Sequence, residues 1–309
     1  MIVKGKDKML RPYFFHLDNL SGAWYCKTIM GSIDFLLRSQ NKDGGWGYRV
    51  DGMSCVEPTA AVLFTVSDST ARMRGKDFLL SLQHSDGGWG IAAMDSDSGW
   101  MTAWAVRALV TFSDARDAVA RGAHWLVITE GTRIEETNDR AVVLQRLKID
   151  STLHGYPWQL GDASWVHPTA LAMLALVQAG RGDDQRVRQG VDYLFNRAAP
   201  TGGWNIGNPW MLDKQIPATI QDTAMALLAL RSINQAASEP HIAAAIQYLR
   251  DAVARAHTAA ELAWGILALR EWAIDVGDAL NRLNALQASD RSWQGNPFIT
   301  AVAILASKT

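Results

Sequence analysis

One phrase recurs along this chain and limits what it can fold into. A helix-like run ends in glutamine, a Gly-Gly-Trp turn follows, and a second helix-like run opens near Thr-Ala. The first copy is Gln40, Asp43-Gly44-Gly45-Trp46 and Glu57-Pro58-Thr59-Ala60. The second is Gln83, Asp86-Gly87-Gly88-Trp89 and Thr102-Ala103-Trp104. Later copies carry the turn tryptophan at Trp158, Trp204 and Trp293, and restart at His167-Pro168-Thr169-Ala170, Asp222-Thr223-Ala224 and Thr300-Ala301. Trp46 to Trp89 spans 43 residues, Trp158 to Trp204 spans 46, and Trp204 to Trp293 spans 89, close to two periods. A period in the forties requires stacked helical or stranded units that bury their apolar faces on one another.

Within each unit the two helices differ. The helix before the turn is amphipathic, as in Ile29, Ile33, Phe35, Leu36 and Leu37 set among polar positions such as Arg38 and Gln40. The helix after the turn is apolar nearly all round, as in Ala170–Leu176 and Ala224–Leu230. A helix without a polar face is buried on several sides. One amphipathic and one buried helix per unit is what a double ring needs, with outer helices facing water and inner helices lining the centre. Inner helices are expected near 57–67, 99–112, 137–148, 165–179, 219–235, 258–273 and 297–307. The one at 137–148 lacks a preceding tryptophan turn, and the one near Thr258 has lost its Gly-Gly-Trp. The pattern predicts an all-α fold, a single α/α barrel of six hairpins, over residues 24–309 after an N-terminal arm of residues 1–23.

Composition narrows the function classes. Apolar residues make up 48% of the 309, enough for a large core. With 30 basic and 31 acidic residues the net charge is −1, and no Lys/Arg cluster marks a nucleic-acid partner. Cys26 and Cys55 form neither a disulfide framework nor a zinc spacing. No apolar stretch approaches the roughly 18 residues of a membrane span, and the N-terminus lacks a signal-peptide core. The expected location is cytoplasmic, with peripheral contact to a membrane face as the alternative.

The repeats resemble those of the prenyltransferase and squalene-cyclase superfamily, whose phrase is Gln-x-x-Asp-Gly-Gly-Trp followed by Pro/Asp-Thr-Ala and an apolar helix. The resemblance runs from about residue 24 to 307, and the length suits a single-domain relative of the class II terpene cyclases. It implies an enzyme in which the inner-helix ends surround a cavity. A carboxylic acid there protonates an alkene or epoxide of a linear polyprenyl or meroterpenoid substrate, and aromatic faces stabilise the carbocations that follow. No metal or other cofactor is implied. The residue types suit the chemistry, since the acid must stay protonated in a dry site and π faces must replace water around the cation.

The family's Asp-x-Asp-Asp is not intact in this chain. Aligned on Thr-Ala, the position of the family's proton donor holds Glu57, His167 and Gln221, with Asp222 one place later. Asp95 and Asp97 precede the inner helix near Trp100. The expected catalytic residues are therefore Glu57, with Asp97 as its rival, then Asp222 and His167. An acid in a first helical turn also suits the helix dipole, so Glu57 and Asp222 have a purely structural reading, and Asp97 has one as a helix cap. Trp100, Trp104, Trp165 and Trp264 are expected to line the cavity, with Trp46 a further wall residue and Trp210 covering the mouth. Trp46, Trp89, Trp204 and Trp293 also suit packing between repeats.

Two other functions share this fold. One is a non-catalytic isoprenoid-binding or scaffold barrel. The other is a zinc-dependent prenyltransferase, for which Cys55 and Asp51 are the nearest match to a ligand set.

Overall fold

The structure is a computed structural model that describes residues 23–134 and 136–308. The expected N-terminal arm, but for its last residue, falls outside them, as does the side chain of Cys26. Thirteen α-helices dominate the described residues: α1 (Ala23–Arg38), α2 (Val56–Leu63), α3 (Ser69–Ser81), α4 (Met101–Leu109), α5 (Arg116–Ile128), α6 (Thr137–Leu147), α7 (Val166–Gln178), α8 (Gln185–Asn196), α9 (Ile220–Ser232), α10 (Pro240–Arg255), α11 (Ala259–Glu271), α12 (Gly277–Ala285) and α13 (Pro297–Ser307). One two-stranded hairpin, β1 (Trp210–Met211) with β2 (Lys214–Gln215), interrupts them. None of the described helices is long and apolar enough to cross a membrane.

Six helices form the inner ring. Each of α2, α4, α7, α9, α11 and α13 packs on the next, and α13 returns to α2. Helices α1, α3, α5, α8, α10 and α12 form the outer layer, so the fold is an all-α barrel of six hairpins. The inner helices are buried along most of their length, from Val166 to Leu176 in α7 for example, as their all-round apolarity requires.

The repeated phrase explains itself atom by atom. In four repeats the turn tryptophan's Nε1–H donates to the carbonyl ten residues earlier on the outer helix: Leu36, Leu79, Leu194 and Leu283, at 2.6–2.7 Å. The same residue's backbone N–H donates to the threonine hydroxyl of the inner helix, as Trp46 to Thr59 and Trp89 to Thr102, both at 2.9 Å. The first glycine of each intact turn is left-handed, with φ of 93° at Gly44 and 94° at Gly87. It also lies against the next outer helix, where a Cβ on Gly44 would stand 2.5 Å from the Arg74 carbonyl oxygen. Only glycine meets both demands. The glutamine ties turn to neighbour: Gln40 Nε2 donates to Gly44 O and to Ala71 O of α3, and Gln83 repeats this with Gly87 and Ala118 of α5. Gln287 closes the ring by donating to Ser32 of α1, whose hydroxyl donates to Arg291 O.

Because Thr59 satisfies a fully buried N–H, Thr59→Val is expected to cost about 1–3 kcal/mol with little change of shape. Urea unfolding would measure it, and a loss below about 0.5 kcal/mol would remove the threonine from the packing argument.

Two expectations need correction. The third turn position belongs to Tyr156, not Trp158: Tyr156 N–H donates to Thr169 Oγ1 at 2.8 Å, with the same thirteen-residue offset as the first two repeats. The helix near 137–148 is α6, and it is no inner helix. None of its residues is buried, and it lies against the β1 strand outside the ring. Its polar sequence and missing turn left it nothing to pack into.

Opposite the turns, the inner helices end in a linked set of cations. Arg231 of α9 donates to Glu271 O at the end of α11, Arg270 of α11 to Ala306 O of α13, and Lys308 to Phe64 O after α2. Arg72 holds Leu63 O, and Arg107 of α4 reaches Gln178 at the end of α7. Cations suit helix C-termini, where unpaired carbonyls concentrate negative charge. Burial lowers the Arg107 pKa to about 9 and that of Lys308 to about 8.

Candidate active site

The inner helices present their sides to the barrel axis at positions set by helical periodicity. Two residues before the repeat threonine stand Glu57, Trp100, His167, Gln221 and Phe298. All five line one cavity of about 510 Å³ at the turn end of the barrel, a size typical of small-molecule sites. Trp158, Ile206, Thr219, Ile220, Asp222 and Glu261 complete the wall. One helical turn deeper, two residues after the threonine, come Ala61, Trp104, Met225 and Val302. With Trp264 and Phe64 they fill the axis, leaving a gap of only about 20 Å³ beside Arg107. Phe298 joins the layers, with ring centroids 6.0 Å from Trp104 and 6.4 Å from Trp264. The cavity thus has an aromatic floor.

Glu57 sits in the first turn of α2, 7% exposed. Burial pushes its carboxyl pKa up, against the pull of the Tyr48 hydrogen bond, the nearby His167 and the Trp104 indole. The Trp104 N–H is buried without a hydrogen bond of normal geometry, so its influence is that of a dipole. Tyr48, in the loop after the first turn, donates its hydroxyl proton to Glu57 Oε2. Its ring is partly exposed and packs edge-on against Phe298 at 5.9 Å. Desolvation and the neighbouring Glu57 charge raise the Tyr48 pKa, so the phenol stays neutral.

Across the cavity His167 stacks on Trp158 (centroids 5.5 Å, 24°) and meets Trp100 edge-on at 5.7 Å. Trp100 and Trp158 are themselves T-shaped at 4.6 Å, and Trp158 O accepts from Trp100 N. His167 Nδ1 lies 3.7 Å from Asp222 Oδ1, while its buried Nε2 has no hydrogen-bond partner. Asp222 is 7% exposed and accepts from the Thr219 hydroxyl at 2.8 Å. Glu261 is held at the rim by a capping box, accepting from Thr258 Oγ1 at 2.8 Å.

The structure brings Glu57, His167, Asp222 and Trp100 together around this cavity, with Trp104 and Trp264 as its floor. It places the other expected residues elsewhere. Asp97 is exposed in the loop before α4, where Asp95 accepts from the Ile91 and Asp97 amides; the cavity register in that repeat belongs to Trp100, three residues later. Trp46 is fully buried in the wall between α1 and α2. Trp165 borders a neighbouring chamber of about 280 Å³ with Trp158, Asp162, Ala163 and Ile206. Trp210 lies on the hairpin beside α6.

Tyr48, Trp158, Phe298 and Glu261 were not among the sequence candidates. Phe298 stands in the same register as Glu57 and could have been found by it. Tyr48 sits in a turn loop with no periodic signal. Among the described residues, no group of three or more His, Cys, Asp or Glu side chains could hold a metal ion.

The fold is the one type II terpene cyclases use. The type II terpene cyclase MstE from Scytonema superposes with a TM-score of 0.65 at 14% identity, over 92% of this chain and 96% of that one. A protein from Actinoplanes matches at 0.61 and 17% identity, over 92% and 98%. A novel alpha-amylase from Clostridium perfringens also matches at 0.61, with 10% identity over 94% and 99%. No protein-family model matches the chain, and no curated protein does.

Proposed function

We propose that the chain is a type II terpene or meroterpenoid cyclase that starts cyclisation by protonating the far alkene of a linear polyprenyl substrate. The observation that carries this reading is Glu57, a buried acid with a raised pKa in a cavity walled by Trp100, Trp158 and Phe298. The MstE structures include complexes with geranylgeranyl dihydroxybenzoate as substrate and merosterolic acid A as product, which supports a prenylated occupant.

The chemistry follows from the positions. The Glu57 O–H proton adds to the terminal alkene carbon, leaving a tertiary cation on its neighbour and a carboxylate on Glu57. The next alkene's π pair attacks that cation, closing a carbon–carbon bond and moving the charge along the chain. The rings of Trp100, Trp158 and Phe298 stabilise each cation without the nucleophilic oxygen that would quench it. The last cation loses a neighbouring proton to the Asp222 carboxylate, which lines the cavity beside His167, and that proton passes on to solvent as the product leaves. Tyr48, bonded to Glu57 and partly exposed, passes a solvent proton back to the carboxylate while taking one from water.

The alpha-amylase neighbour shows that this fold alone does not choose a reaction, so the test must read the initiating step. Polyprenyl substrates turned over in deuterium oxide are expected to yield a cyclic product with one deuterium at the initiating carbon, located by mass and NMR analysis. Bound but unchanged substrate would instead make the barrel an isoprenoid carrier.

A further inference from the structure

The charges around the cavity define the head group it accepts. Besides the Glu57 acid, which the cyclase reading keeps neutral, its wall carries Asp222 and Glu261, the adjoining chamber adds Asp162, and neither is lined by a lysine or arginine among the described residues. The barrel's buried and linking cations, Arg107, Arg231, Arg270 and Lys308, sit at the opposite end on helix C-termini, beyond the aromatic floor.

One feature pulls the other way: the inner helices direct their N-termini, with their partial positive charge, toward the cavity. The chain already answers that charge with its own carboxylates, Asp222 and Glu261, placed in the first turns of α9 and α11. The acceptors that a hydrogen-bond-donating head group meets are the Asp222 and Glu261 carboxylates, which line the cavity. At the rim Thr219, Gln221 and Glu261 are exposed and offer carbonyl, hydroxyl and carboxylate oxygens.

We infer that the cavity takes isoprenoids with a neutral head group that donates hydrogen bonds, an alcohol or phenol, and discriminates against anionic heads such as carboxylates and diphosphates. The inference rests on the cyclase reading for the isoprenoid tail. It separates this chain from the Scytonema cyclase, whose substrate is a dihydroxybenzoate.

The test uses saturated isoprenoids, which have no alkene to protonate, so binding is read apart from turnover. The alcohol, the carboxylic acid and the diphosphate of one chain length are titrated against the protein's tryptophan fluorescence, with a Trp100→Phe/Trp158→Phe variant identifying the part of the quenching that comes from the cavity wall. The alcohol is expected to bind at least tenfold more tightly than either anion. Gln221→Lys, which adds a cation at the exposed rim, is expected to narrow or reverse that preference, with its fold checked by circular dichroism. An anion binding as tightly as the alcohol overturns the inference, as does a Gln221→Lys variant that folds and leaves the preference unchanged. Absence of saturable quenching by all three overturns it together with the cyclase reading. An alcohol that binds, whose unsaturated counterpart is never cyclised, leaves the head-group inference standing and removes only the catalysis.

Discussion

Glu57→Gln is expected to lower cyclisation by about 10²–10⁴-fold, the usual cost of losing an essential general acid. The amide keeps the side chain's length and still accepts the Tyr48 hydroxyl, but it has no acidic proton to give. The folded-state pKa of Glu57 lies above the unfolded value, so the native state binds more protons. Wild-type stability therefore falls as pH rises from the ordinary glutamate range through the raised pKa. The glutamine variant escapes that loss and should unfold at the same or a higher denaturant concentration near neutral pH. Asp97→Asn, on the exposed loop, is the matched control and should retain turnover. Steady-state kinetics beside urea titrations would decide it. A Glu57→Gln enzyme within tenfold of wild type would shift the initiating acid to Asp222.

The second large effect concerns stability. Trp89 is fully buried, and its indole N–H donates to Leu79 O while its backbone N–H donates to Thr102. Trp89→Ala is expected to cost about 3–5 kcal/mol, since it opens a large cavity between outer and inner helix and removes the indole hydrogen bond to Leu79 O. Trp158→Ala removes the same side chain from a half-buried place at the cavity and should cost much less stability while impairing substrate binding. Equal losses in chemical denaturation would mean that Trp158 is as structural as Trp89.

How far the sequence could be read depended on how far each residue obeyed the repeat. The six-hairpin ring was legible because the turn, the threonine and the apolar helix recur in phase. The depth of Glu57, His167 and Gln221 was legible for the same reason, since helical periodicity places equivalent positions at one level of the axis. Asp97 attracted notice as an acid near a helix start, but three residues of offset put it on the loop. Tyr156 was hidden because tyrosine fills a position where the other turns use tryptophan, and a real tryptophan lay two residues on. The Thr219–Asp222 contact depends on the insertion that lengthens the Trp204-to-Thr223 spacing to nineteen residues, as against thirteen in the first two repeats. Tyr48 meets Glu57 through a loop whose path no pattern encodes.

The linked cations and the aromatic plug give the barrel one open end. On the proposed reading, a polyprenyl chain reaching Glu57 would slide in with its hydrocarbon terminus leading and its head group trailing at the rim. The journey out is not the mirror image of the journey in. What would enter is a supple thread able to bend past Ile206 and Trp158; what would leave is a stiff fused body that has to back through the same aperture. In a dead-end vessel of this kind, the width of the doorway beside the 205–216 loop would limit how large a ring system the proposed cyclase could make and still release.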